Sequence, residues 1–329
     1  MIHEIDLDGV FPAMATPFDA DGGIDFDRLR ADARRLETAG VDGLVPVGTT
    51  GESATLTHDE HVAVVETVCE AASIPVIAGA GSNATHEAIE LAERSAAAGA
   101  DALLLISPYY NKPEPAGMEA HYRTIADAVD VPQIVYNVPG RTGRNVAVDT
   151  AVALAAHENV VGYKAASGDL GRSGEIIERT RANDFSVLSG EDALTLPLLA
   201  AGARGAISVA ANVEPGRVVE LVDAALDGDV ARARERHHEL GPLFRALFVE
   251  TNPIPLKEAL RIRGHGAGRL RSPLSRLSTP HREALEAILA ALDGDDRADA
   301  AADAGASTSD DGSERATGSE TGEPAGIER

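Results

Sequence analysis

A chain of 329 residues with 44% hydrophobic content is long enough for one large α/β domain or two ordinary ones, and it can build a sizeable core. Its formal net charge of −24 argues against nucleic acid and anionic membranes as partners. No apolar run approaches the roughly 18 residues that a membrane helix needs. Residues 1–10 carry acids without a lysine or arginine and lack the apolar core of a signal peptide, so a cytoplasmic location is expected.

Arginine supplies almost all the positive charge, because the only lysines are Lys112, Lys164 and Lys257. An acidic, lysine-poor surface points to a salt-rich cytoplasm, where the Debye length falls to about 3 Å at 1 M salt. The single cysteine, Cys69, has no partner for an internal disulfide and reads as a small hydrophobe on a helix face with Val62 and Val65.

Along the chain, short β-rich runs alternate with loops and amphipathic helices. Strands are expected at 10–15, 43–47, 75–80, 102–106, 133–136, 160–164, 186–188 and 206–209. Asp25 is placed to cap a helix with Phe26, Leu29, Ala33 and Leu36 on its apolar face, and Gly40 ends it. Thr57 and Glu60 have capping-box spacing ahead of Val62, Val65 and Val68. Gly99 closes the following helix, and the eighth helix is expected near 214–226. Eight such units predict an α/β TIM (β/α)₈ barrel over 1–227. A C-terminal helical region over 228–292 is expected to pack outside it. Residues 293–329 hold 11 acids and 3 arginines, with Ile327 as the only large apolar side chain, and predict a disordered acidic tail.

The run Gly79-Ala80-Gly81-Ser82-Asn83-Ala84 imitates a dinucleotide fingerprint. Its candidate ribose acid, Asp101, precedes a strand where it should end one, and the eightfold repeat contradicts a Rossmann order.

In a barrel the reactive groups gather where the strands end. Those ends carry Gly48-Thr49-Thr50-Gly51-Glu52-Ser53, then Tyr109 and Tyr110, then Tyr136 through Arg141, then Lys164, then Gly190 to Asp192. Lys164 is the sharpest signal. It completes an apolar strand, where burying an ammonium is costly and lowers its pKa from about 10.4. The resulting free amine forms Schiff bases with keto acids. The opposing reading is a strand-end lysine paired with a carboxylate. Tyr136, on the neighbouring strand, is placed to exchange protons. The backbone of Thr49 and Thr50 suits a carboxylate, and Arg141 suits a second carboxylate in a bidentate pair. His58 and His61 share a helix face, but no third metal ligand is apparent, so neither metal nor cofactor is expected.

The motifs Gly-Thr-Thr-Gly-Glu-Ser and Tyr-Asn-Val-Pro…Arg-Thr-Gly, with Lys164 28 residues after Tyr136, resemble the dihydrodipicolinate synthase/N-acetylneuraminate lyase superfamily over about residues 5–290. The resemblance implies Lys164 as the Schiff-base residue and Tyr136 as a proton shuttle linked to Thr50. It implies Tyr110 reaching into a neighbouring subunit of a homo-oligomer, commonly a dimer of dimers. Thr49 and Thr50 would hold the carboxylate of pyruvate, with Gly190 and Ile207 lining its pocket through backbone. Arg141 points to the synthase branch, in which pyruvate condenses with L-aspartate 4-semialdehyde. The alternatives are a 2-keto-3-deoxy sugar-acid aldolase or an N-acetylneuraminate lyase-like aldolase. Ala165 departs from the family, which more often has Glu there. The resemblance also implies an inhibitory L-lysine site made by Ser53, Ala54, His58, His61, Asn83, Glu87 and Tyr109.

Overall fold

The computed structural model describes residues 5–266 and 268–307, with side chains through 294. Seven strands, β1 (Gly9–Pro12), β2 (Ile77–Gly79), β3 (Ala102–Ile106), β4 (Gln133–Asn137), β5 (Val160–Ala165), β6 (Ser186–Ser189) and β7 (Gly205–Ser208), form one sheet in the order β1-β7-β6-β5-β4-β3-β2. Every neighbouring pair is parallel.

The remaining expected strand, 43–47, second in chain order, closes the ring between β1 and β2. Leu44 bridges Val76 and Val45 bridges Ala13, both in parallel. The Leu44 N–H donates to the Pro75 carbonyl at 2.8 Å, and the Val45 N–H to the Pro12 carbonyl at 3.0 Å. This segment stays irregular because Pro46 has no N–H to donate and Val47 takes a φ of 50°. The architecture is a (β/α)₈ barrel with C-terminal helices.

The barrel interior is filled by Phe11, Val45, Ile77, Leu104, Ile134, Leu188 and Ile207, all nearly or wholly shielded from solvent. Outside, the helices start and stop as their capping residues dictate. The Asp25 carboxylate accepts from the Arg28 N–H at 2.9 Å, and Thr57 and Glu60 complete both bonds of a capping box. The decoy glycines serve close packing. A Cβ at Gly79 would lie 2.5 Å from the Val47 carbonyl oxygen, and one at Gly81 would lie 2.4 Å from the Ile106 nitrogen.

The eighth helix, Pro215–Leu226, packs against the helix Val230–Ala246. The helical region after 228 does not lie wholly outside the barrel as expected. Segment 251–253 and the helix Ile254–Ile262 return to the rim where the strands end, and the helix's residues 254–260 are all buried. The chain divides into a body through Leu289 and a second unit from Ala290. The helix Thr279–Ser307 runs through the first part of the stretch expected to be a disordered tail, and residues 308–329 of that expectation lie outside the described residues.

Candidate active site

Strand register brings the central pair together. Tyr136 on β4 aligns with Lys164 on β5, which aligns with Leu188 on β6. The Lys164 Nζ lies 4.2 Å from the centroid of the Tyr136 ring. Burial pushes the Lys164 amine down to about 7; Asp192 opposes the shift and Arg141 adds to it. Among the described residues no carboxylate lies within ion-pair distance of its Nζ, so the opposing reading from sequence finds no partner. Burial raises the Tyr136 phenol, opposed by a hydrogen bond with Thr49 and by the charge of Arg141.

That bond corrects one expectation. The threonine linked to Tyr136 is Thr49, whereas the Thr50 hydroxyl accepts from Asn252 Nδ2 at 3.0 Å. Adjacent residues of a tight turn point apart, so only one of the two hydroxyls faces the tyrosine. The turn is held by the Gly51 N–H to Gly48 carbonyl bond at 3.1 Å, and the Thr16 hydroxyl donates to the Gly51 carbonyl at 2.7 Å.

Gly190 is set by its closeness to the lysine. Its N–H donates to the Ala165 carbonyl at 2.8 Å, and a Cβ there would sit 2.9 Å from both Cγ and Cε of Lys164. Ile207 is 1% exposed, with its side chain in the barrel core. Behind Lys164, the buried Asp192 accepts from the Ser208 hydroxyl and from the Val209 and Ala210 N–H groups, each at 3.1 Å for the backbone donors. Burial raises its carboxyl, and these donors together with Lys164 oppose the rise.

Arg141 lies on the exposed side of the rim, and its Nη2 donates to the Asn252 carbonyl at 3.0 Å. A cavity of about 500 Å³ is lined by Thr49, Tyr136 and Arg141, and it continues to Ser53, Ala54, His58, His61, Glu87 and Tyr109. Of the residues expected for catalysis and substrate binding, Thr49, Tyr136 and Arg141 face this space, whereas Lys164, Thr50, Tyr110, Gly190 and Ile207 do not line it; of those expected for L-lysine, all but Asn83 do.

Several members of the expected lysine set are already engaged within the chain. His61 is buried, its Nε2 2.7 Å from the Gly79 carbonyl, and burial pulls its pKa to about 4. His58 Nε2 pairs with Glu87 at 3.2 Å, and Glu87 also accepts from the Ser82 hydroxyl. The Asn83 side-chain Oδ1 accepts from the N–H groups of Tyr109 and Tyr110 at 2.8 and 3.0 Å, fixing the tyrosine loop. Tyr110 is 83% exposed and does not reach Tyr136 within its own chain. Cys69, half-buried, is pushed up to about 12 by burial and is a poor nucleophile.

Sequence reasoning missed Asn252, Lys257 and the role of Glu52. Lys257 Nζ pairs with Glu52 at 2.5 Å, both side chains almost fully buried, and it also donates to the Arg269 carbonyl at 2.7 Å. Glu52 takes a left-handed φ of 55° directly after the threonine turn, and its second oxygen accepts from the Arg271 N–H at 3.0 Å. The scarcity of lysine was the one available signal, since Lys257 stands in a strongly apolar helix start, Ile254-Pro255-Leu256.

Fold and site together define a barrel enzyme that presents a buried, readily deprotonated lysine beside a tyrosine at its C-terminal rim. A family model described as the dihydrodipicolinate synthetase family matches residues 6–292. The chain belongs to that family. It is 68% identical over 294 residues to the 4-hydroxy-tetrahydrodipicolinate synthase of the halophilic archaeon Natronomonas pharaonis, covering 89% of this chain and 100% of that protein. Among solved structures, it resembles a chloride-inhibited dihydrodipicolinate synthase from Acinetobacter baumannii complexed with pyruvate, at 40% identity and a TM-score of 0.85, with 87% of this chain and 99% of that one covered. It also resembles the enzyme from Cyanidioschyzon merolae with lysine bound, at 41% identity and a TM-score of 0.84, covering 87% and 98% of the two chains. No helix among the described residues is long and apolar enough to cross a membrane.

Proposed function

We propose that this enzyme condenses pyruvate with L-aspartate 4-semialdehyde, the activity of 4-hydroxy-tetrahydrodipicolinate synthase, through a Schiff base on Lys164. The observation that carries the assignment to a residue is the buried Lys164 amine without a carboxylate partner, 4.2 Å from the Tyr136 ring centroid. An amine pulled to about 7 is a free nucleophile in about half of the molecules at neutral pH. It attacks the keto carbon of pyruvate, and the carbonyl oxygen leaves as water. Loss of a methyl proton from the iminium forms an enamine, whose carbon attacks the aldehyde. Tyr136, backed by Thr49, is the group positioned to move these protons. The Thr49–Thr50 turn and the backbone at Gly190 and Ile207 hold the pyruvate end, and Arg141 receives the carboxylate of the aldehyde. The exposed Tyr110 supports a homo-oligomer, a dimer of dimers, in which it completes the relay of a neighbouring copy.

Borohydride added with pyruvate should inactivate the enzyme and leave the reduced adduct on Lys164. Peptide mass analysis that finds the adduct on Lys112 or Lys257, or on none, defeats the assignment. L-Lysine is proposed as an inhibitor acting near His58, Glu87 and Tyr109, supported by the lysine-bound Cyanidioschyzon merolae relative and by the carboxylate that Glu87 offers to an α-ammonium. Millimolar L-lysine should slow the reaction, and Glu87→Ala should remove that inhibition while leaving turnover intact.

A further inference from the structure

The threonine turn is not positioned by the barrel alone. Two tethers from the C-terminal region reach it. One is the buried Glu52–Lys257 pair, joined by the Arg271 N–H. The other is Asn252, 6% exposed, whose Nδ2 donates to Thr50 Oγ1 at 3.0 Å while its backbone carbonyl accepts from Arg141 Nη2 at 3.0 Å. A single residue therefore touches both groups assigned to substrate carboxylates.

We infer that Asn252 is a positioning residue that aims the Thr50 hydroxyl at the pyruvate carboxylate. A threonine hydroxyl has one proton to give. With the Asn252 amide donating to its oxygen, that proton is directed away from Asn252, and the turn keeps its donor for an anion. The backbone carbonyl of the same residue holds one guanidinium nitrogen of Arg141, leaving the others for the second substrate. This inference rests on the proposed function, in which the turn receives pyruvate.

The role separates from mere packing in the order of two variants. Asn252→Asp keeps the shape but offers only acceptors, so it takes the Thr50 proton and sets a negative charge beside the pyruvate carboxylate. Asn252→Ala only removes the donor. If Asn252 aims the hydroxyl, Asn252→Ala raises the KM for pyruvate on the order of tenfold, the loss of about one hydrogen bond, and Asn252→Asp raises it further. The kcat at saturating pyruvate and the KM for the aldehyde change little, because the backbone contact to Arg141 is untouched. In a Thr50→Ala background neither substitution adds to the pyruvate KM. A milder Asn252→Asp than Asn252→Ala, equal changes in both KM values, or full additivity with Thr50→Ala overturns the inference. If Asn252→Asp does not fold, Asn252→Ala with its Thr50→Ala double variant decides alone. Borohydride trapping separates this from the parent reading. Failure of wild-type enzyme to trap pyruvate on Lys164 defeats the function, whereas normal trapping with the wrong order of variants defeats only the role of Asn252.

Discussion

Two buried lysines stand near the same rim and differ in their partners. Lys164 and Lys257 are 6% and 3% exposed, and each has its Nζ 4.2 Å from an aromatic centroid, Tyr136 for the first and Phe18 for the second. Burial lowers both, Lys164 to about 7 and Lys257 to about 8. The difference lies in the partners. Lys257 has the Glu52 carboxylate and the Arg269 carbonyl, so its charge is satisfied and its nitrogen is occupied. The nearest anionic influence on Lys164 is Asp192, whose oxygens are already held by Ser208, Val209 and Ala210. Burial lowers both amines, but only Lys164 has no carboxylate within ion-pair distance among the described residues, which is what its proposed role as nucleophile requires.

The largest effect that tests this contrast is the loss of either lysine. Lys164→Met should lower kcat on the order of 10³-fold or more with the fold retained, because the covalent route is gone. Lys257→Met should leave the Glu52 carboxylate buried without its cation and lower stability by about 3–5 kcal/mol, read from denaturant unfolding. The folded fraction of Lys257→Met should still trap pyruvate on Lys164. An active Lys164→Met, or a Lys257→Met as stable as wild type, breaks the contrast.

A smaller effect sharpens it. Protonated Lys164 cannot attack a carbonyl, so the rate of borohydride trapping at subsaturating pyruvate should fall about tenfold per pH unit below about 7 and level off above it. A midpoint near the ordinary lysine value of about 10.4, above even the value of about 8 of the paired Lys257, would mean that burial does not free the Lys164 amine.

How much of this was legible beforehand follows the range of the contacts. Strands such as Ala102–Ile106 and the capped helices are written in runs of a few residues, and so was the rim they create. Lys164 stood out because an ammonium at the end of an apolar strand is costly whatever surrounds it. The second strand was expected as regular, and its bridges are broken by Pro46 and the left-handed Val47. The choice between Thr49 and Thr50 depends on which way a turn faces, and spacing does not encode that. Asn252 and Arg271 act on residues 202 and 219 positions away. No local pattern marks such pairs, which is why the C-terminal region read as an outer layer.

The smallest effect concerns the surface rather than either lysine. With a formal net charge of −24, the folded chain repels itself, and it is 68% identical to the enzyme of the halophilic archaeon Natronomonas pharaonis. Exposed acids interact through water, where the Debye length shrinks from about 10 Å at 0.1 M to about 3 Å at 1 M salt. The Glu52–Lys257 pair is shielded from solvent and lies beyond the reach of that screening. Molar KCl should therefore raise the melting temperature by several degrees, and by nearly the same increment in wild type and in Lys257→Met, although the variant starts lower. An increment that disappears in Lys257→Met would mean that salt acts through the buried clamp, and a melting temperature flat across KCl would remove self-repulsion as the reason for salt dependence.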